Sequence, residues 1–130
     1  MSRVLTTALP ALALFLSTLV LPTSASAADS VGSKGTIEFL ETFSPSSDTY
    51  SKYHGRIYVK SGSKQVEYRW GGTACGTKTI TEQQVELLYR GMRANKVRIT
   101  PSYKSGQGGK RCLVGFKLEE EKKKGKNPPT

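Results

Sequence analysis

Residues 75–112 read CGTKTITEQQVELLYRGMRANKVRITPSYKSGQGGKRC, and this stretch decides the fold. Thr81-Glu82-Gln83-Gln84 matches a capping box, in which the Thr81 hydroxyl accepts from the amide of Gln84 and the Gln84 side chain reaches back. Val85, Leu88, Tyr89 and Met92 follow at helical spacing. Arg90 and Arg93 suit the negative end of the helix dipole, and Asn95 suits a left-handed C-cap. The spacing predicts a helix over 81–94. Val97 and Ile99 then alternate with Lys96, Arg98 and Thr100, which predicts a strand over 96–103 that Pro101 marks as an edge or an end. Residues 104–110 form a polar glycine loop. Cys112, Val114, Phe116 and Leu118 make the inner face of a last strand over 111–118, with Leu113, Gly115 and Lys117 facing away. The only two cysteines stand at the two ends of the stretch.

Working toward the N-terminus, residues 64–70 and 55–60 are two alternating runs around Ser61-Gly62-Ser63, the pattern of a β-hairpin. Ile57 and Val59 share one face of the first run; Val66, Tyr68 and Trp70 share one face of the second. Arg56, Lys60, Gln65, Glu67 and Arg69 take the outer faces, and Arg56, Lys60, Arg69 and Arg98 read as a basic stripe or as a solvated surface. Residues 44–54, with Pro45, several serines and Asp48, have loop chemistry and are long for a connection in a small domain. Residues 36–43 alternate as a further strand, with Ile37, Phe39 and Phe43 on one side and Leu40 on the other. Glu41 interrupts that apolar face and suggests a strand end or a bulge. Residues 29–35 read as a loose lead-in.

The first residues carry a different signal. Arg3 precedes an apolar run from Leu9 to Leu21, and Ala25-Ser26-Ala27-Ala28 fits a small-residue cleavage pattern, so residues 1–28 read as a secretory signal peptide. The run is shorter than the roughly 20 residues a membrane span needs. The mature protein is expected to have no membrane span and to be periplasmic or extracellular. Two cysteines in an oxidising compartment pair most simply with each other, so a Cys75–Cys112 disulfide is expected. Closing that loop is worth about 4 kcal/mol in the chain-entropy model. Residues 119–130 hold acids, lysines and Pro-Pro-Thr with nothing to bury, and read as a disordered charged tail.

The order of elements is β-β-β-α-β-β within residues 29–118. That predicts a mainly β domain with one helix and one disulfide, a five-stranded OB-fold-like Greek-key barrel. A sheet with one helix packed across it is the alternative. Ala74-Cys75-Gly76, Leu87-Leu88-Tyr89, Val97-Arg98-Ile99 and Leu113-Val114-Gly115-Phe116 together resemble the central part of bacterial AB5-toxin B subunits of the subtilase-cytotoxin and typhoid-toxin type. The resemblance covers roughly a third of the chain. It implies an exported, disulfide-bonded OB-fold that forms a homo-oligomeric ring and binds cell-surface glycans. Pro101 would resist the edge pairing such a ring needs. The chain lacks the second disulfide of that family and is more basic, and no sugar-binding residue is carried over.

The chemistry available is thin. His54 is the only histidine, so no second imidazole can share a metal with it. The acids fall on strand exteriors, the helix surface and loops, and no acid–base pair is marked. Both cysteines are taken by the disulfide, and no Gly-x-Ser-x-Gly elbow exists. Ser105-Gly106-Gln107-Gly108-Gly109-Lys110 has the wrong spacing and no following helix for a phosphate-binding loop. The reading is therefore not an enzyme, with no cofactor and no metal.

In an OB-fold the first-to-second and fourth-to-fifth strand loops flank the usual ligand face. Here they carry Tyr50, Tyr53, His54, Lys104, Gln107 and Lys110, the candidate ligand-binding residues. Aromatic rings stack on sugars, and lysine and glutamine donate to acidic or hydroxyl groups. Tyr68 and Trp70 are assigned to the core. Twenty Lys and Arg face ten acids over the 130 residues, a formal charge of +10. Such a surface favours anionic partners. The leading expectation is a glycan- or anionic-ligand-binding module; the alternative is a protein–protein or inhibitor role, with an acidic protein as partner. Export disfavours nucleic acid.

Overall fold

The computed structural model describes residues 28–122. The expected signal peptide, apart from Ala28, and residues 123–130 of the expected tail lie outside the described residues. The elements run β1 (Ser30–Val31), β2 (Thr36–Thr42), β3 (Gly55–Ser61), β4 (Lys64–Trp70), α1 (Gly72–Cys75), α2 (Glu82–Arg93), β5 (Val97–Ser105), a 3-10 turn (Gln107–Gly109) and β6 (Arg111–Glu120). No described helix is long and apolar enough to cross a membrane.

The strands form one sheet in the order β1-β5-β6-β4-β3-β2. All ladders are antiparallel except β4 with β6, which meet in parallel at Arg69 and Cys112. The strand count is thus six, not the expected five, and the end strands β1 and β2 share no ladder, so the sheet is open. The extra strand comes from the lead-in. Ser30 and Val31 pair with Tyr103 and Ser102, and the amides of Gly32 and Gly35 donate to the carbonyls of Pro101 and Ile99 at 2.8 and 2.9 Å. A stretch with little to bury is ordered by its backbone groups, with ion pairs from Asp29 to Lys104 and from Lys34 to Glu119 beside them.

Pro101 does not lie on an edge or end its strand. It sits fully buried in β5, between β1 and β6, and the strand continues to Ser105. Its carbonyl accepts from Gly32, on the β1 side. In an antiparallel ladder a residue's nitrogen and carbonyl point the same way. The missing donor therefore faces the place where the chain leaves the β5 ladder between Val31 and Gly35.

Two bulges change which side chains point inward. In β2 the register slips between Ile37 and Phe39, and in the β5–β6 pair it slips opposite Ser102 and Tyr103. One extra residue reverses the alternation beyond it. Ile37 and Leu40 therefore pack on the core, while Phe39 is 39% exposed on the outer face. Leu113 is buried in the core, whereas Phe116 and Leu118 pack against it from beyond the slip and Val114 does not. These reverse the expected faces of Phe39, Leu40, Leu113 and Val114.

The core joins Ile37, Ile57, Val59, Tyr68, Trp70, Ile80, Leu88, Ile99 and Leu113, so every long element contributes to it. Tyr68 and Trp70 are core residues, as the alternation predicts. Helix α2 starts with the expected capping box: Gln84 N donates to Thr81 Oγ1 at 3.2 Å and Thr81 N to Gln84 Oε1 at 2.9 Å. Its end differs, because Ala94 is the C-cap with φ −92° and among the described residues none other than glycine has positive φ. Asn95 is not a left-handed cap. Tyr89, expected on the buried face, is 41% exposed beneath the Arg93 guanidinium, and Gly91 takes the buried place instead. The Cys75–Cys112 disulfide is formed, with 5.6 Å between the Cα atoms.

Candidate functional site

The connection from β2 to β3 is tied down along its length. Its serines and Asp48 favour turns, and successive turn bonds close Ser47 N on Ser44 O, Tyr50 N on Ser47 O, and Lys52 N on Thr49 O, at 2.9 to 3.1 Å. Its ends are held where Phe43 N donates to His54 O and His54 N to Trp70 O. Ser51 and Lys52 accept at their carbonyls from the amides of Thr73 and Ala74, which seats the loop on α1. Gly71 and Gly72 enter α1 with φ near +66°, and a Cβ at Gly71 would collide with the His54 ring. Glycine is required there both for the left-handed backbone and for the close approach.

Within this framework the Tyr50 ring stacks on His54, with centroids 3.9 Å apart and planes 9° from parallel. The pair borders a cavity of about 410 Å³ between the loop and the start of α2. Phe43, Pro45, Trp70 and Ile80 give it apolar lining, and Thr79 and Glu82 are polar residues along it. The volume and the mixture of rings with a few polar groups fit a small organic ligand.

The six sequence-predicted residues separate. Tyr50 and His54 line the cavity. Tyr53 is 9% exposed, its ring lies under the Arg69 guanidinium at 4.4 Å and edge-on to Phe43, and its hydroxyl stands 3.5 Å from Glu41. Lys104 lies in β5 with its ammonium 3.5 Å from Asp29. Gln107 and Lys110 are exposed at the 3-10 turn. That turn packs on the far side of α1. Gly106 N donates to Lys110 O at 2.7 Å, and a Cβ on Gly106 would strike Cys112 Sγ and Ala74 O. Helix α1 therefore stands between the two loops, and the six candidates do not line one cavity. The cavity residues Phe43, Thr79 and Glu82 were not singled out by the sequence. Glu82 is marked as a helix-start residue, but nothing local to it reports that the loop will lie alongside.

The outer face of β2, β3 and β4 holds a second constellation. Arg56 Nη1 donates to Glu67 at 3.0 Å and to the Tyr58 hydroxyl at 3.2 Å, and Arg56 Nη2 donates to Glu41 at 3.2 Å. The Tyr58 hydroxyl donates to Glu67 at 2.7 Å, and Arg69 Nε donates to the other oxygen of the same carboxylate. Phe39, Tyr53 and Tyr58 surround the Arg56 guanidinium at 5.4 to 5.6 Å, and its Nε finds no acceptor. Burial alone would raise the Glu67 carboxyl, but the hydrogen bonds from Tyr58, Arg69 and Arg56 outweigh it and hold the group below its ordinary value. Glu67 is thus fixed as an anion with its lone pairs engaged, poorly placed to take a proton from a substrate. The outer arginines are each paired with a carboxylate: Arg56 across strands with Glu41 and Glu67, Arg69 within β4 with Glu67, and Arg98 with Glu121 just past β6. They form no basic stripe. Among the described residues no three His, Cys, Asp or Glu side chains converge as a metal site would require.

The fold and site define a disulfide-linked, β-rich domain with an aromatic-lined cavity beside the β2–β3 loop. Comparison with protein-family models, with curated proteins and with solved structures gives no match.

Proposed function

We propose that this chain is an exported, non-catalytic binding module of OB-fold-like architecture, which takes a saccharide unit in the cavity beside Tyr50 and His54. The observation that carries the reading is that cavity, which the stacked Tyr50–His54 pair borders together with Trp70, Thr79 and Glu82. A sugar ring offers an apolar C–H face to aromatic side chains and hydroxyl groups to neighbouring acceptors, the division of labour seen here.

The architecture supports it. Taken from β2, the order β2-β3-β4-β6-β5 with one parallel contact and a helix between β4 and β5 is the strand order of an OB-fold. The single segment from β1 through β2 pairs first with β5 and then with β3, as the first strand of a partly open barrel would. The disulfide suits an oxidising compartment. The resemblance to toxin B subunits belongs to this reading, and with it a ring-forming homo-oligomer.

A glycan array probed with the full chain tests the proposal. Binding to a defined glycan set is expected, weakened at least about tenfold by Tyr50→Ala. An array with no binder, or binding indifferent to Tyr50, overturns it. Size-exclusion mass reports the ring.

The protein–protein reading is favoured by one observation. Leu87 is 46% exposed on α2, beside a shallow apolar groove of about 270 Å³ formed with Gly91, Ala94, Val97 and Leu118. A stoichiometric protein partner lost on Leu87→Glu and kept on Tyr50→Ala would decide for this second reading.

A further inference from the structure

The end of the molecule closed by the disulfide carries cations that the cavity does not use. Lys52 accepts at its carbonyl from Ala74 N at 3.0 Å, and Lys78 donates from its amide to Cys75 O at 3.0 Å. Lys110 closes the loop whose Gly106 rests on Cys112 Sγ and Ala74 O. Arg111 precedes Cys112, and Lys104 is opposite Cys112 in the β5–β6 register. Lys52, Lys78, Arg111 and Lys104 thus sit on backbone within one residue, one hydrogen bond or one ladder pair of α1 or the disulfide, and Lys110 lies two residues before Cys112. Of the acids on or beside these elements, Asp48 lies in the 44–54 loop, Glu119 and Glu120 lie at the far end of β6 from Arg111, and Asp29 beside β1 is taken by Lys104. Lys52, Lys110 and Arg111 are exposed, and Lys78 is half-exposed. The contrast with the strand faces is sharp, because there Arg56, Lys60, Arg69 and Arg98 each face a carboxylate.

We propose that this cap, formed by Lys52, Lys78, Lys110 and Arg111 around α1 and the Cys75–Cys112 bridge, is a docking surface for a polyanionic polysaccharide. Spaced point charges on flexible stems suit sulfate or carboxylate groups repeated along a chain, and the exposed Gln107 adds a neutral donor for hydroxyls. Nucleic acid is the poorer fit. Single strands are held by runs of bases stacked on open aromatic faces, whereas at this end Tyr53 and Trp70 are buried, Arg111 covers Tyr103 at 4.9 Å, and the Tyr50–His54 pair is a single stack rather than a row of platforms. A lipid surface is poorer too, because the exposed large apolar residues Val31, Phe39, Leu87 and Tyr89 lie outside the 44–54 loop, α1 and residues 106–111. The inference does not depend on the saccharide cavity.

Heparin is the probe. The full chain is expected to bind it, with affinity falling steeply as salt rises, because bound counterions are released. The triple variant Lys52→Ala, Lys78→Ala, Lys110→Ala should bind on the order of 10- to 100-fold more weakly at fixed salt. A control triple removes the same charge elsewhere: Lys64→Ala, Lys96→Ala, Lys117→Ala should stay within about twofold of wild type, since those lysines lie at the far hairpin, the start of β5 and the middle of β6. Tyr50→Ala should leave heparin binding unchanged, which separates this site from the cavity. Equal losses in the two triples show an effect of net charge alone and overturn the proposal. Oligo(dT) of matched charge binding as tightly as heparin overturns the choice of polysaccharide. Thermal melting of each variant establishes that it is folded before its affinity is compared.

Discussion

Glu67 receives hydrogen bonds from three side chains, Tyr58, Arg56 and Arg69, and is the hub of the outer face. Burial opposes its ionisation, and the three donors more than offset that. A carboxyl held below its unfolded value stabilises the fold above that value and loses the contribution as pH falls through the folded one. Glu67→Gln is therefore expected to lower stability by about 1–3 kcal/mol at pH 7 and to flatten the acid limb below the ordinary carboxyl value near 4.5. Urea melts at pH 7 and at acid pH check this; an unchanged acid limb would place the acid sensitivity elsewhere. Tyr58 has the opposite sign. Its hydrogen bond to Glu67, with burial second, raises its pKa, so its share is present at neutral pH and lost only in strong alkali. Alternation placed Arg56, Glu67 and Arg69 on outer faces. The pairing itself needs the hairpin register, in which Tyr58 faces Glu67 and Arg56 faces Arg69, two like charges that the shared Glu67 reconciles. Once the turn is narrowed to Gly62-Ser63, that register follows. Tyr53 and Tyr50 were not separable in the sequence, because a loop has no period to tell a buried ring from one that lines a cavity.

At the scale of elements, what was legible was whatever repeats. The hairpin, the capping box and the core faces of β3 and β4 follow from period and cap chemistry, and they are present. What was not legible was anything set by a partner strand. The slips in β2 and β6 each reverse an alternation, and an inserted residue looks in one dimension like any other. The helical turn α1 was hidden for a similar reason: four residues have no periodicity, and Gly71-Gly72 reads equally as a strand end. The slip in β6 makes a direct prediction. Leu113→Ala should cost about 2–5 kcal/mol, as a fully buried leucine does, and Val114→Ala no more than about 1 kcal/mol. The unbroken alternation of residues 112–118 would demand the reverse. Chemical denaturation of the two variants decides, and a larger loss at Val114 would remove the slip from the argument.

For the molecule as a whole, the core cluster contains side chains from β2, β3, β4, α2, β5 and β6, so none of these six can leave without opening it. A single cooperative transition is expected. The disulfide, joining positions 37 apart in sequence, acts on that transition through the unfolded chain and is worth about 4 kcal/mol. In a domain near 100 residues each kcal/mol moves Tm by roughly 4–8 °C. Replacing both Cys75 and Cys112 by Ala should therefore lower Tm by roughly 15–30 °C in calorimetry, with one peak retained. A fall of under about 5 °C would mean that the bridge constrains little of the unfolded chain, and two peaks would mean that residues 75–112 unfold on their own. The bridge also fixes where α1 lies between the two loops, since Ala74 is bonded to Lys52 on one side and meets Gly106 on the other. The paired variant, kept well below its own Tm, should therefore lose heparin affinity while the Tyr50–His54 cavity, held also by the Phe43–His54 and His54–Trp70 backbone bonds, keeps its ligand. Titrating the same sample with both ligands separates the two effects, and loss of both together would make the bridge a requirement of the whole fold rather than of the cap.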